Sequence, residues 1–118
     1  MITLREKQVA FCRLSARLID YAFQHGDELT FSETYRPPET AELYAQQGRG
    51  SRDSLHCVRL AVDLNLFRNG TWLKRSEDFA YLGAFWKAQS TGDYECCWGG
   101  DFDKPDGNHF SIAHEGRR

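Results

Sequence analysis

Residues 60–67, Leu-Ala-Val-Asp-Leu-Asn-Leu-Phe, alternate as a half-buried strand does, with Leu60, Val62, Leu64 and Leu66 on one face. Ala61, Asp63, Asn65 and Phe67 fall on the other. A face of three leucines and a valine has to be covered, so this strand demands a sheet backed by helices. Asp63 then projects from the middle of a rigid element, where a side chain is held still enough to serve as a ligand.

The rest of the chain supplies the cover. Thr3-Leu-Arg-Glu6 is a capping box, and Phe11, Leu14, Leu18 and Ala22 follow at helical spacing with Val9 and Ile19 beside them. This predicts one amphipathic helix over residues 4–24, stopped by Gly26. Leu29–Tyr35 alternates and suggests a strand that Pro37-Pro38 ends; Glu39–Gln47 then reads as a short helix closed by Gly48. Asn69-Gly70 signals a tight hairpin from strand 60–67 to residues 71–74. Ser76 opens a second long helix with Phe79, Leu82, Phe85 and Trp86 as its core stripe, an aromatic run expected to be packing rather than a binding face. Residues 94–98 and 108–112 read as strands, and the tail His114–Arg118 is expected to fray. The fold class predicted is α+β with a largely antiparallel sheet, in a single domain spanning 1–118.

Composition excludes several functions. A formal charge of −2 offers no general attraction to nucleic acid or anionic lipid. Arg49, Arg52 and Arg59 are clustered, but read best as solvated loop charges. No apolar run approaches the roughly 20 residues that cross a bilayer. The start, Met1-Ile-Thr-Leu-Arg-Glu-Lys, lacks the basic-then-apolar order of a signal peptide, so cytoplasmic synthesis is expected. Cys12, Cys57, Cys96 and Cys97 lack the spacing of a structural zinc site and are expected to be free thiols, mostly buried. Nothing in the sequence sets an oligomeric state.

His56, Asp63 and His109 together match a catalytic zinc site, which takes three protein ligands and leaves a fourth position for water. Asp106, three residues before His109, would place a carboxylate within reach of that water as a general base. Each spacing alone is common by chance. His25, at a helix end, is better read as a cap, and His114 lies near a loose end.

Further residues raise the signal. Ser54, His56, Ala61 and Asp63 match the form S-x-H-x-x-G-x-A-x-D in register, Asp106-x-x-His109 supplies a second motif, and Trp98-Gly-Gly-Asp-Phe102 precedes it. Upstream stand Thr34-Tyr-Arg-Pro37 and Glu42-Leu-Tyr-Ala-Gln-Gln-Gly-Arg49. From about Phe31 to Phe110 the chain thus resembles the zinc peptidases of the D-Ala-D-Ala carboxypeptidase and dipeptidase family, whose phage members are L-alanyl-D-glutamate endolysins. The resemblance implies the hedgehog/D-Ala-D-Ala peptidase-like fold and one Zn²⁺ on His56, Asp63 and His109. It implies Asp106 as base, Arg36 as an active-site cation for an oxyanion or a substrate carboxylate, and a peptidoglycan stem peptide as substrate. Ser54 either helps bind that substrate or caps the turn before His56. Arg59 stands where the family has Gly, so the loop after His56 is expected to differ and Arg59 to project toward substrate. The expected activity is a phage-type L-Ala-D-Glu endopeptidase, with a DD-carboxypeptidase as alternative. A catalytically silent metal-binding domain of the same fold, acting in virion or wall binding, is a further alternative. An enzyme of this kind would act at the wall after release from the cell or from a virion.

Overall fold

A computed structural model describes residues 2–118. Helix α1 spans Leu4–Gln24, with Thr3 and Glu6 closing the capping box. It buries Phe11, Leu14, Leu18 and Ala22, while Val9 is exposed. The His25 ring donates from Nδ1 to the Tyr21 carbonyl at 2.8 Å, and Gly26 turns the chain at φ 84°. Strand β1 is Glu28–Phe31, helix α2 Pro38–Gln46, strand β2 Ala61–Arg68 and strand β3 Thr71–Leu73. A 3-10 turn, Ser76–Phe79, leads into helix α3, Ala80–Ala88; strands β4, Cys96–Trp98, and β5, His109–Ile112, complete the set.

The sheet runs β1-β2-β5-β4, with β3 also on β2, and every pairing is antiparallel. Strand β2 is shared along its length. Its first half pairs with β5 and its second half with β3, while β1 lies along the other edge. Val62, Leu64 and Leu66 of β2 join Phe110 and Ile112 of β5 in one core under α1 and α3. Trp86 meets Phe11 and Phe110 edge to face and donates its indole N–H to the Ser111 carbonyl at 3.0 Å. The aromatic run is therefore packing, as its spacing predicts, although Phe85 is only half-buried and stacks on Tyr21 at 4.0 Å. Asn69 and Gly70 both take positive φ, 52° and 78°, as a hairpin turn of the right twist requires.

Three expectations need correction. Regular pairing of β1 stops at Phe31 rather than Tyr35. Beyond it, Ser32 N–H still donates to the in-register Asp63 carbonyl at 2.9 Å, but Asp63 N–H turns to the Glu33 carbonyl at 2.8 Å, one residue out of register. The second helix is a 3-10 turn plus nine residues, not one long helix. The tail is folded: His114 and Arg117 bridge around Glu115 and Gly116, both at positive φ, and Arg117 Nη1 donates to the Asp53 carbonyl at 2.9 Å. Of the free cysteines, Cys96 and Cys97 are buried, Cys57 is half-buried and Cys12 is exposed. No helix among the described residues is long and apolar enough to cross a membrane.

Candidate metal centre

The register of β2 with β5 sets Asp63 opposite His109, Val62 opposite Phe110 and Ala61 opposite Ser111. Side chains alternate along both strands, so the face that sends Val62 and Phe110 into the core sends Asp63 and His109 away from it together. Asp63 Oδ1 lies 3.2 Å from His109 Nδ1. His56 reaches the pair from a 3-10 turn, Leu55–Val58, with Nε2 3.4 Å from Asp63 Oδ2. One ligand atom from each of the three residues lies within 4.8 Å of the others.

These residues fit a metal ion. Donors held about 2.0–2.1 Å from a tetrahedral centre stand roughly 3.3 Å apart, close to the observed separations. The Thr34 carbonyl accepts a hydrogen bond from His56 Nδ1 at 2.8 Å, which assigns the proton to that nitrogen and leaves Nε2 free to coordinate. His109 is buried and turns Nδ1 to Asp63, while its Nε2 has no partner. The Phe102 ring packs beside it, with centroids 5.4 Å apart.

Electrostatics agrees with a ligand set. Burial opposes the charge of Asp63, but hydrogen bonds from His109 and His56 outweigh it and hold the carboxyl at about 2. Burial also works against a charged His56. The hydrogen bond and charge of Asp63, with the Thr34 carbonyl and Glu33, nevertheless raise its pKa above the ordinary value. Asp106 shifts upward, first through partial desolvation and then through the charge of Asp63, and its side chain remains open to solvent.

The loop that carries Asp106 is built by Trp98-Gly99-Gly100. A Cβ on Gly99 would stand 2.1 Å from the Asp106 carbonyl oxygen and 2.8 Å from His109 Cβ. A Cβ on Gly100 would collide with the Trp98 indole, whose N–H donates to the Gly107 carbonyl at 2.7 Å. Asp106 itself binds Gly99 through its N–H at 2.9 Å and offers its carbonyl to His109 N–H at 3.0 Å. The two glycines thus bring the Asp106 backbone against the strand that presents His109.

The remaining candidates divide. Ser54 caps the turn, its Oγ accepting from His56 N–H at 3.2 Å. Arg36 lies at the edge of the cluster, its Nη2 paired with Glu33 and its guanidinium 5.2 Å from the Tyr44 ring centroid. Arg59 ends the 3-10 turn in the left-handed region, φ 57° and ψ 38°, so it adopts the backbone of a Gly instead of redirecting the loop. Its guanidinium covers the Tyr35 ring at 4.0 Å and lines an apolar groove beside α1. His114 sits by Lys7 and Glu115, outside the ligand cluster. Glu33 was missed as a site residue: its Oε1 is 3.8 Å from His56 Nε2. Its only signal was its place on the alternating face of residues 29–35.

A family profile described as D-alanyl-D-alanine carboxypeptidase matches residues 47–112, more than half of the chain and all three candidate ligands. Among solved structures, the L-Ala D-Glu endopeptidase ChiX of Serratia marcescens is similar with a TM-score of 0.67 and 22% identity, over 83% of this chain and 77% of that one. At that identity the likeness is one of fold. No curated protein matches.

Proposed function

Since the chain belongs to the D-alanyl-D-alanine carboxypeptidase family of peptidases, we propose that it is a zinc peptidase cutting peptidoglycan stem peptides, at the L-Ala–D-Glu bond. The observation that carries this reading is the convergence of His56 Nε2, Asp63 and His109 Nδ1, with Asp106 fixed beside His109 and open to solvent. When bound to these three residues, Zn²⁺ supplies a Lewis acid that brings the pKa of water toward neutrality. Asp106 accepts the proton of the attacking water and returns it to the leaving amine, a role that its raised pKa suits. Arg36 donates from its guanidinium to the carbonyl oxygen as charge develops there. Ser54 keeps the His56 turn in place, and any contact it makes with substrate is additional to that.

An internal bond is favoured over the terminal D-Ala by the state of Arg36. Gripping a free chain end needs an unmatched cation, and the Arg36 guanidinium is already matched by Glu33. The structural likeness to ChiX, itself an L-Ala D-Glu endopeptidase, supports the same choice. The family description favours the DD-carboxypeptidase alternative. Product analysis separates them: purified zinc-loaded protein incubated with peptidoglycan should expose new D-Glu amino termini and release no free D-Ala. Free D-Ala as the sole product would transfer the assignment to the carboxypeptidase. Zinc binding without any release, from walls of several peptide types, would leave only the silent domain. Because the family substrate lies in the wall, the enzyme would work there after release from the cell or from a virion.

A further inference from the structure

Residues 33–36 touch the metal centre at three backbone points and close on themselves through side chains. The Glu33 carbonyl accepts from Asp63 N–H at 2.8 Å, and the Thr34 carbonyl accepts from His56 Nδ1 at 2.8 Å. Arg36 N–H donates to the His56 carbonyl at 3.2 Å. Two of the three candidate ligands therefore hang on one four-residue segment. That segment lies outside the strands and helices, and these three hydrogen bonds tether it to the site. What ties its ends to each other is the Glu33–Arg36 ion pair, three residues apart and with 12% of the Arg36 and 27% of the Glu33 side chain exposed. An ion pair shielded to this degree holds geometry better than a surface pair does.

We propose that Glu33 is a positioning residue of the metal centre: through Arg36 it closes the 33–36 turn, and the carbonyls of that turn orient His56 and Asp63 for the ion. Glu33 is not a ligand in this arrangement. Its Oε1 is 3.8 Å from His56 Nε2, and its carboxylate is spent on the guanidinium. The proposal rests on the metal-binding reading of His56, Asp63 and His109, and it does not need the peptidase reading.

The test is zinc affinity, measured by chelator competition, in Glu33→Ala, Glu33→Gln and Glu42→Gln. Groups that orient a ligand typically change metal affinity by about 10- to 100-fold when removed, and Glu33→Ala should fall in that range. Glu33→Gln keeps a carbonyl for Arg36 and should lose less, about three- to tenfold. Glu42→Gln, which removes an equal charge from an exposed pair with Arg52, should stay within twofold. With Co²⁺ in place of Zn²⁺, Glu33→Gln should keep the band positions of the parent, since the donors are unchanged. Zinc affinity of Glu33→Ala within twofold of the parent overturns the proposal, and so does a changed Co²⁺ spectrum, which would make Glu33 a ligand. Should the Ala variant fail to fold, the Gln variant decides by the same twofold limit. Zinc affinity that depends on Glu33 in a protein that cuts no wall would keep the positioning role and remove the peptidase. Wall cleavage with affinity indifferent to Glu33 would do the reverse.

Discussion

Asp63 and His56 carry opposite pH signatures because each stabilises the charge of the other. The Asp63 carboxyl is depressed to about 2, so its contribution to stability is present above its unfolded pKa of roughly 3.9 and is lost as pH falls toward 2. His56 is raised, so its contribution is complete below an unfolded pKa of about 6.5 and is lost as pH rises through the folded value. The metal-free protein should therefore melt at its highest temperature between about pH 4 and 6.5, which a pH series of thermal melts would show. Metal reverses the upper limb, since His56 must give up its proton to coordinate. Zinc uptake near pH 6.5 should release protons, seen by calorimetry in buffers of different ionisation enthalpy. Asp106→Asn addresses chemistry alone: turnover should fall about 10²- to 10⁴-fold with zinc stoichiometry unchanged. All three of these residues, as types at a spacing, were legible in the sequence. The charges they impose on one another were not, because those depend on approach distances of a few ångströms.

At the level of elements, the strands and helices follow alternation, caps and turn residues closely, and the departures cluster where the site is made. β1 ends early because the Asp63 N–H, in register with Ser32, goes instead to the carbonyl of Glu33, and that one-residue offset breaks the ladder. The turn bearing His56 is a 3-10 helix of four residues, too short for any periodicity to announce. Gly99 has a packing role no propensity encodes. Gly99→Ala forces the Asp106 loop away from β5 and should cost about 1–3 kcal/mol in denaturant unfolding. Its activity loss should exceed what that destabilisation explains. Arg59 behaves otherwise: a left-handed non-glycine costs about 1–2 kcal/mol, against roughly 0.5–1 kcal/mol for an exposed cation–π contact with Tyr35. Arg59→Gly should thus raise the unfolding free energy slightly, by about 1 kcal/mol or less, seen in denaturant titration, and keep activity.

Across the whole molecule, a polar cluster around the buried Asp27 joins three elements far apart in sequence. Asp27, only 3% exposed, follows α1; Arg68 at the end of β2 donates to both its oxygens at 2.8 and 2.9 Å, and the Tyr81 hydroxyl of α3 donates to it as well. The Arg68 pair, more than burial can oppose, holds the Asp27 carboxyl below its ordinary pKa. Replacing Asp27 by Ala leaves Arg68 and Tyr81 without their acceptor. The loss should be about 1–3 kcal/mol, set by the acceptor lost to Tyr81 and discounted for Arg68, whose side chain is 47% exposed. Metal content should not change, since none of the three touches the candidate ligands.

By itself the sequence determined the alternation that makes β2 a half-buried strand, the capped helix that covers it, and the two motifs that carry His56, Asp63 and His109. These are local properties, set by side-chain period and turn chemistry within a few residues. Only the tertiary structure decided that Asp63 faces His109 across 46 residues, that Glu33 neutralises Arg36, and that the 33–36 turn holds two candidate ligands from behind. Strand register and loop closure bring those groups together, and both depend on which faces find a common core.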